Sequence, residues 1–283
     1  MTTRTISIIE TASGERVGAF SIRRALPTRG LSQVDPFIFI DYLFPTAVKA
    51  GDSLRIPPHP HAGFDVVTYI LKGEFFHRDS KGHDQVAHAG DLNWMSSGSG
   101  IIHSEGPTDE FLKVGGDLSL MQVWINVPAT EKFTKPEFRH FNADSLPVIN
   151  NGDAWLKIIA GKYGNKQSPV LPHTDLFYYH LKLKPGTWFS LPLNPEHSAA
   201  IFIMNGKIKV LHEEMTSGQL INFNMDGDQL VFSAIEDAEL ILFGGKPLKE
   251  RVVSYGPFVM NSFEEIQQAI ADYESGKMGV LDF

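Results

Sequence analysis

The chain has 283 residues, of which 42% are hydrophobic, a formal net charge of −8 and no cysteine. This length allows one large domain or two ordinary ones with a buried core. The acidic balance, with no run of lysine or arginine, argues against direct binding of nucleic acid. The missing thiols exclude disulfides and thiolate metal sites.

The first residues, MTTRTISIIETASGERVG, contain no apolar signal core. No stretch approaches the roughly 20 apolar residues that a membrane-spanning helix needs. The acidic charge also disfavours contact with anionic lipid surfaces. The sequence therefore predicts a cytoplasmic protein that does not bind membranes.

Short runs rich in Val, Ile, Phe and Tyr recur along the chain, separated by Gly, Pro, Asn and Asp. Such runs are typical of β-strands, and their short spacing predicts an all-β sandwich or barrel. The clearest runs are RTISIIET (4–11), FIFIDYLF (37–44), FDVVTYILKG (64–73), LSLMQVWINV (118–127), WLKIIAGKYG (155–164), LFYYHLKLK (176–184), AAIFIMNGKIKVLH (199–212) and AELILFGG (238–245).

Two pairs of polar residues show the two-residue spacing of a strand. His59 and His61 belong to His-Pro-His, and His103 and Glu105 belong to GIIHSEG (100–106). Side chains two positions apart on a strand point to the same face, and the prolines around His59 favour an extended path. If the two strands face inward across one barrel, three imidazoles and one carboxylate meet, which predicts a metal site.

Nitrogen and oxygen ligands without sulfur suit iron, manganese, nickel, cobalt or copper as well as zinc. An octahedral ion held by four such side chains keeps two positions open, where a chelating substrate and O₂ can meet. Glu105 can also leave the metal and accept a proton from a substrate hydroxyl, as a general base.

The other histidines are not expected to be ligands, and five of them have no paired spacing: His140, His173, His180, His197 and His212. His77, His83 and His88 fall on or near the polar segment HRDSKGHDQVAHAG (77–90), which is expected to be solvated. Asp65, four residues after His61, is expected to accept a hydrogen bond from an imidazole N–H rather than to ligate the metal.

A weak internal repeat relates two parts of the chain. TYILKGEFFHRD (68–79) aligns with IFIMNGKIKVLH (201–212) through their glycines, and GDLNWMSSGSGIIHSE (90–105) aligns with GQLINFNMDGDQLVFS (218–233). The second unit therefore lacks every proposed ligand, so we expect one metal site, in the first unit. The residues that the alignment places at the four ligand positions are Pro192, Asn194, Val231 and Ser233.

One segment near the end of the chain has helical periodicity. In SFEEIQQAIADYESG (262–276), Ser262 and Glu265 form the pattern of a capping box, and Gly276 is a suitable C-terminal stop. The segment predicts a helix over 263–275. Its apolar stripe is Phe263, Ile266, Ile270 and Tyr273.

Three segments together resemble the pirin family of the two-domain cupin superfamily, over nearly the whole chain. They are HPHAGFDVVTYILKGEFFHRDSKG (59–82), GDLNWMSSGSGIIHSEGP (90–107) and YGPFVMNSFEEIQQAIADYESG (255–276). The resemblance implies an all-β bicupin, with two antiparallel β-barrels of the jelly-roll type and a C-terminal α-helix. The domains are then a metal-binding N-terminal barrel over 1–135, a metal-free barrel over 136–245, and a tail over 246–283.

The resemblance also implies a single metal ion, usually iron, so Fe²⁺ is the expected cofactor, and it implies a monomer. The family's ligand pattern falls on the residues that the strand argument selects, His59, His61, His103 and Glu105.

Three positions near the expected site depart from the family's common pattern. Ala62 stands in place of an arginine, Asp65 in place of a glutamate, and Gly106 in place of a larger residue. None of the three is a ligand, so they bear on substrate fit and rate more than on metal binding.

The functions known in the family are divided, and a fold alone does not choose between them. Several bacterial members resemble quercetin 2,3-dioxygenases, whereas animal members act as iron-dependent transcriptional co-regulators and other bacterial members modulate metabolic enzymes. We predict a metal-dependent oxidoreductase of the quercetin 2,3-dioxygenase type, which opens a flavonol-like aromatic substrate with O₂ and releases CO. The alternative is a non-catalytic, redox-sensitive iron protein that acts through a protein partner, and a third reading is a metal that only stabilises the fold.

Overall fold

The computed structural model describes residues 1–282, which form two compact units. The N-terminal unit comprises Gly14–Ile22, Ile40–Ala143 and the chain from Leu248 onward. The C-terminal unit comprises Met1–Ser13, Arg23–Phe39 and Asp144–Pro247. Each unit therefore contains strands that lie far apart in the sequence.

Strands dominate the first half of the chain, with one short helix, α1 (Asp109–Val114), and a 3₁₀ turn at Ala129–Glu131. The strands are β1 (Ile6–Thr11), β2 (Ser13–Val17), β3 (Phe20–Leu26), β4 (Phe37–Val48), β5 (Ile56–His61), β6 (Phe64–Lys72), β7 (Glu74–Asp79), β8 (Asp84–His88), β9 (Leu92–Ser96), β10 (Ile101–Gly106), β11 (Gly116–Asn126) and β12 (Glu137–Phe141).

The second half has the same character, with a 3₁₀ turn at Ala143–Ser145 and the helix α2 (Phe263–Glu274) near its end. The strands are β13 (Val148–Asn150), β14 (Ala154–Ala160), β15 (Lys162–Tyr163), β16 (Lys166–Gln167), β17 (Leu176–Leu183), β18 (Trp188–Pro192), β19 (Ala200–Asn205), β20 (Lys207–Val210), β21 (Glu213–Thr216), β22 (Gln219–Phe223), β23 (Gln229–Ala234), β24 (Ala238–Gly245), β25 (Val253–Tyr255) and β26 (Phe258–Met260). The prediction of an all-β fold is confirmed.

The N-terminal unit is built on a seven-stranded sheet of order β12-β9-β6-β11-β4-β3-β2 and a four-stranded sheet of order β5-β10-β7-β8. Apolar side chains from both sheets meet in one core, for example Ile70 and Leu120 from the larger sheet with Phe75 and Ala87 from the smaller. The two sheets therefore pack face to face around a shared interior, as in a small barrel or sandwich.

The C-terminal unit repeats this plan with sheets of order β1-β22-β19-β24-β17-β14-β13 and β18-β23-β20-β21. The smaller sheet follows the same strand sequence as its counterpart, so the internal repeat corresponds to a real structural repeat. Its inward positions are apolar, and Phe189, Leu191, Leu230 and Phe232 belong to the core of this unit.

The repeat alignment is one residue out of phase on β23. It places Val231 and Ser233 opposite the proposed ligands, whereas the core contains Leu230, Phe232 and Ala234. Because the side-chain period of a strand is two, a slip of one residue exchanges the inward and outward faces. The residues that the structure places inward, Leu230, Phe232 and Ala234, are apolar. The metal-free C-terminal barrel stays a prediction.

The predicted domain boundaries also stay predictions. The compact units divide the chain differently at its start, because β1 pairs with β22 in antiparallel register and so groups with the second half of the sequence. This long-range pairing leaves no local signal in residues 1–13.

The predicted C-terminal helix is confirmed at 263–274. Ser262 Oγ accepts the backbone N–H of Glu265 at 3.2 Å, and the Glu265 carboxylate accepts the N–H of Ser262 at 3.1 Å, which completes the capping box. The buried face is narrower than the predicted stripe, since Ile266 and Ala269 are buried while Phe263 is 59% exposed. Within residues 1–282, neither helix has the length and apolar character needed to cross a bilayer.

Candidate metal centre

Three neighbouring strands, β5, β10 and β7, form the floor of the candidate site. Residues directly opposite each other on paired strands point to the same face. His103 lies opposite His59 on one side and Asp79 on the other, and Glu105 lies opposite His77. One face of the sheet therefore carries three alternating pairs of polar side chains: His59 and His61, His103 and Glu105, His77 and Asp79.

Three of these side chains converge. One ligand atom from each of His59, His61 and His103 lies within 4.8 Å of the other two. The ring centroids are 4.4 Å apart for His59 and His103, and 5.0 Å apart for His61 and His103. The structure thus brings together the three imidazoles that the strand argument selected.

Hydrogen bonds hold each ring through its Nδ1 atom. Nδ1 of His59 lies 2.8 Å from the carbonyl oxygen of Pro57, and Nδ1 of His61 lies 3.2 Å from that of Pro257. A carbonyl oxygen only accepts, so both rings carry their proton on Nδ1 and keep the Nε2 lone pair available. That tautomer is the one that ligates a metal through Nε2.

The third ring leaves an unsatisfied atom. His103 is buried, and its Nε2 has no hydrogen-bond partner in the protein. A buried polar atom without a partner costs about 1–3 kcal/mol, which a metal ion at the centre of the three rings would offset. The residues present therefore fit a divalent cation.

Burial keeps the cluster neutral, as ligands must be. It lowers the pKa of His61 to about 3, with a smaller contribution from the neighbouring His59. Burial likewise lowers the pKa of His59 and, more strongly, that of His103. Metal binding at neutral pH therefore does not need to displace protons from these rings.

Glu105 lies on the same face but outside the group of three converging ligand atoms. Gln122 donates from Nε2 to the Glu105 Oε1 atom, and Thr68 also hydrogen-bonds to this carboxyl group. Burial raises the pKa of Glu105 to about 7, against the opposing effect of these two hydrogen bonds. The carboxyl group is therefore close to half-protonated at neutral pH, and its role as a fourth ligand stays a prediction.

A small cavity of about 30 Å³ lies beside Glu105 and Gln122. Its other walls are mostly apolar and include Phe20, Leu43 and Leu120, with Asp41 as a further polar lining residue. A space of this size admits a water molecule or O₂ but not an aromatic ring.

Two aromatic rings pack against His61. The centroids of Phe64 and Trp124 each lie 5.2 Å from that of His61, at steep interplanar angles. Both contacts are edge-on, and Phe64 is fully buried. His61 therefore lies against the apolar surface of these two rings.

Two residues at the site were missed by the sequence interpretation. His77 was expected in a solvated loop, but it lies on β7 and is 4% exposed, and Asp79 beside it is 2% exposed. His77 follows the turn at Gly73 by four residues, and the His-x-Asp spacing is the same two-residue pattern that identified the other pairs. This pattern could have identified His77 and Asp79 from the sequence.

Asp65 has a different partner from the one expected. Its Oδ2 atom accepts the indole N–H of Trp94 at 2.9 Å, which braces β9 against β6. Ala62 is fully buried in the core formed with the C-terminal helix. At Gly106, an added Cβ would lie 3.1 Å from the carbonyl oxygen of Leu54, so a larger residue there would require its neighbours to move.

Two facing β-sheets in each of two units define a bicupin fold, and the N-terminal unit carries a cluster of three imidazoles that could hold a metal ion. Comparison with known proteins agrees with this assignment of the fold. The family model described as Pirin matches residues 19–125, and the Pirin C-terminal cupin domain matches residues 178–279. The chain belongs to the pirin family.

The relatives include proteins with different names. A Pseudomonas aeruginosa protein whose name provisionally assigns it as a quercetin 2,3-dioxygenase is 34% identical over 97% of this chain and 98% of its own. Human pirin is 31% identical over 97% of this chain and 93% of its own. A crystal structure of quercetin 2,3-dioxygenase from Acinetobacter baumannii superimposes with a TM-score of 0.94, at 28% identity, over 99% of this chain and 100% of that one.

Proposed function

We propose that this protein is a metal-dependent dioxygenase of the quercetin 2,3-dioxygenase type. The observation that carries the proposal is the convergence of three imidazoles, two buried and the third, His59, half-buried, on the sheet face that also carries the buried Glu105. The two relatives named for this activity, one of them matched over almost the whole chain at a TM-score of 0.94, support it.

His59, His61 and His103 would hold the ion, with Glu105 as the proposed fourth ligand, and Fe²⁺ is the proposed metal. Bound there, the metal would supply a Lewis acid and a redox centre for a substrate oxygen and O₂. The chain's own contribution begins with the fixed tautomers of the rings, since each Nδ1 is held by a partner outside the cluster.

Glu105 is the proposed general base. Its carboxylate is buried on the sheet face that carries the three imidazoles, where it could accept a proton from a phenolic hydroxyl of a bound substrate. Gln122 and Thr68 hold the carboxyl group in place through hydrogen bonds. The rings of Phe64 and Trp124 pack against His61.

The proposed substrate is a flat phenolic compound of the flavonol class. The cavity beside Glu105 is too small for its rings, so the substrate would approach from the side of His59, the least buried of the three imidazoles. O₂ is small and apolar enough for the cavity itself.

The test uses purified protein loaded in turn with Fe²⁺, Mn²⁺, Ni²⁺, Co²⁺ or Cu²⁺. We expect oxygen uptake, loss of flavonol absorbance and release of CO with at least one metal. Glu105→Gln should lower kcat by about 10²- to 10⁴-fold, the usual contribution of a general base. His140→Asn, which alters a histidine away from the cluster, is the matched control and should leave the rate unchanged.

Absence of turnover with all five metals would defeat the proposal. If such protein nevertheless binds a metal and captures a partner protein only in its metal-loaded form, the regulatory alternative would be favoured.

A further inference from the structure

The hydrogen bond that orients His103 differs in kind from those of the other two rings. His59 and His61 each donate to a backbone carbonyl oxygen, which fixes their tautomers without further help. The Nδ1 atom of His103 instead lies 3.3 Å from the Nδ1 atom of another imidazole, His77. An imidazole nitrogen either donates or accepts, so this contact alone does not determine which ring carries the proton.

Asp79 resolves that ambiguity. Its Oδ2 atom lies 3.0 Å from His77 Nε2. Asp79 Oδ1 accepts the backbone N–H groups of Lys81 at 2.9 Å and His83 at 3.2 Å, and His83 Nδ1 lies 2.8 Å from Oδ2. A carboxylate surrounded by donors accepts from every one of them.

The position of the proton on each imidazole then follows, first for His77 and then for His103. His77 donates from Nε2 to Asp79, so its Nδ1 carries a lone pair. That lone pair accepts the Nδ1–H of His103, which leaves the His103 Nε2 lone pair facing the cluster. This Nε2 is the buried atom that has no partner in the protein.

Packing keeps the ring of His77, which lies between Asp79 and His103, in place. The ring of Phe138 stacks on that of His77 with centroids 4.1 Å apart and planes 4° from parallel. His77 and Asp79 are both almost completely buried. The ring therefore has little freedom to turn away from His103.

We propose that Asp79 and His77 form a positioning relay that fixes the tautomer of His103 and thereby sets the affinity of the site for its metal. Neither residue touches the metal in this arrangement. The inference extends the metal centre on which the proposed function rests, and it does not depend on the substrate or on turnover.

Asp79→Asn is the sharpest test, because it keeps the shape and changes one acceptor into a donor. With its oxygen still facing the two backbone N–H groups, the new amide donates toward His77 Nε2. The proton of His77 must then lie on Nδ1, which forces His103 to place its own proton on Nε2. We expect the affinity for Zn²⁺, measured by competition with a chromophoric chelator, to fall about 10- to 100-fold.

The matched control is His83→Asn. His83 also contacts Asp79 but does not touch His103, and its side chain is 41% exposed. Its substitution should change Zn²⁺ affinity less than about threefold if the relay carries the effect. Equal weakening by both substitutions would overturn the proposal, because it would mean that the turn around Asp79 acts only as a structural support.

A second pair of variants keeps the test decisive if Asp79→Asn does not fold. His77→Gln retains an acceptor oxygen for the Nδ1–H of His103, whereas His77→Leu fills the space but offers no acceptor. We expect His77→Gln to bind Zn²⁺ more tightly than His77→Leu by about tenfold or more. Equal affinities would count against the relay.

The wild-type protein supplies a direct measurement. Long-range ¹H–¹⁵N correlation spectra of the Zn²⁺-loaded full chain distinguish the two imidazole nitrogens of each histidine. We expect His103 to be protonated at Nδ1 and His77 at Nε2, and the reverse assignment for either ring would overturn the proposal. Protein that binds Zn²⁺ as expected but shows no flavonol turnover with any metal would defeat the proposed function and leave the relay intact.

Discussion

At the scale of single residues, the charge state of the metal-free cluster determines how many protons a metal ion displaces. An imidazole with an ordinary pKa near 6.5 is mostly protonated at pH 6, so three such rings would release about two protons on binding. Here burial lowers the pKa of all three rings, that of His61 to about 3. The rings should therefore release fewer protons than three ordinary imidazoles would.

Glu105 is expected to differ from the imidazoles in the number of protons that it releases on metal binding. Its pKa of about 7 leaves it largely protonated at pH 6. If it becomes a ligand, binding should release about one proton. We expect calorimetric titration with Zn²⁺ at pH 6, in two buffers of different ionisation enthalpy, to give about one proton more for the wild type than for Glu105→Gln. Equal release by both proteins would remove Glu105 from the set of ligands, and release of two or more would show that the imidazoles are charged before binding.

The sequence predicts the imidazole cluster well because its geometry is local. Two-residue spacing places His59 with His61 on one face, and a neighbouring strand brings His103 beside them. The same logic applied to His77 and Asp79, but the polar residues that follow them suggested a loop. Which carboxylate orients which imidazole was not predictable, since Asp65 lies on the seven-stranded sheet beside Trp94 and the contact depends on packing across strands.

At the scale of elements, the turn between β5 and β6 positions His61. Gly63 occupies this turn with φ of +87°, and a Cβ there would lie 2.1 Å from the carbonyl oxygen of Val259. The Gly63 N–H donates to the carbonyl oxygen of Gly98 at 2.9 Å. The backbone thus needs glycine at this position for its conformation and also for its close approach to β26.

Gly63→Ala should therefore lower the free energy of unfolding by more than a left-handed conformation alone would explain. Gly18→Ala is the matched control, because Gly18 also has a positive φ, +57°, but nothing lies within 4 Å of its added Cβ. Strain alone costs roughly 1–2 kcal/mol, and forced displacement of packed neighbours typically adds 1–3 kcal/mol. Urea denaturation should show the larger loss for Gly63→Ala. Equal losses would mean that β26 moves aside without cost.

Element boundaries could be predicted from the sequence where a particular residue type marks the start of a helix or a turn. The capping residues Ser262 and Glu265 located the start of α2, and glycine located turns such as the one at Gly73, where φ is +78°. The pairing of β1 with β22 was not foreseeable in the same way. Strand pairing between distant segments depends on the whole set of competing partners, and local periodicity carries no information about it.

At the scale of the whole molecule, one buried charge connects distant parts of the N-terminal unit. Lys132 is fully buried, and its Nζ atom donates to the carbonyl oxygen of Gly63 at 2.7 Å, to Asn126 Oδ1 at 2.7 Å and to the carbonyl oxygen of Val259 at 3.1 Å. The three N–H groups of the ammonium are thus all paired. They join the turn before β6, the end of β11 and the C-terminal strand β26.

This arrangement gives global stability a characteristic dependence on pH. Burial lowers the pKa of Lys132 from the ordinary lysine value of 10.5 to about 8, against the raising effect of Glu250, Glu265 and Asp65. Below pH 8 the folded and unfolded chains both carry the proton, and the cost of burying the charge is present in full. Between pH 8 and 10.5 the unfolded chain binds more protons than the folded one, so the stability contributed by this group rises with pH.

Between pH 8 and 10.5, Lys132 should raise the free energy of unfolding by an amount on the order of 3 kcal/mol. Because tyrosines and other lysines titrate in the same range, the quantity to compare is the slope of unfolding free energy against pH in wild type and in Lys132→Met. Methionine fills the space but leaves three buried oxygens without a donor, so the variant should be less stable at pH 7. Its curve should lack the rise between pH 8 and 10, whereas parallel curves for the two proteins would mean that the ammonium keeps its proton, and its three hydrogen bonds, throughout.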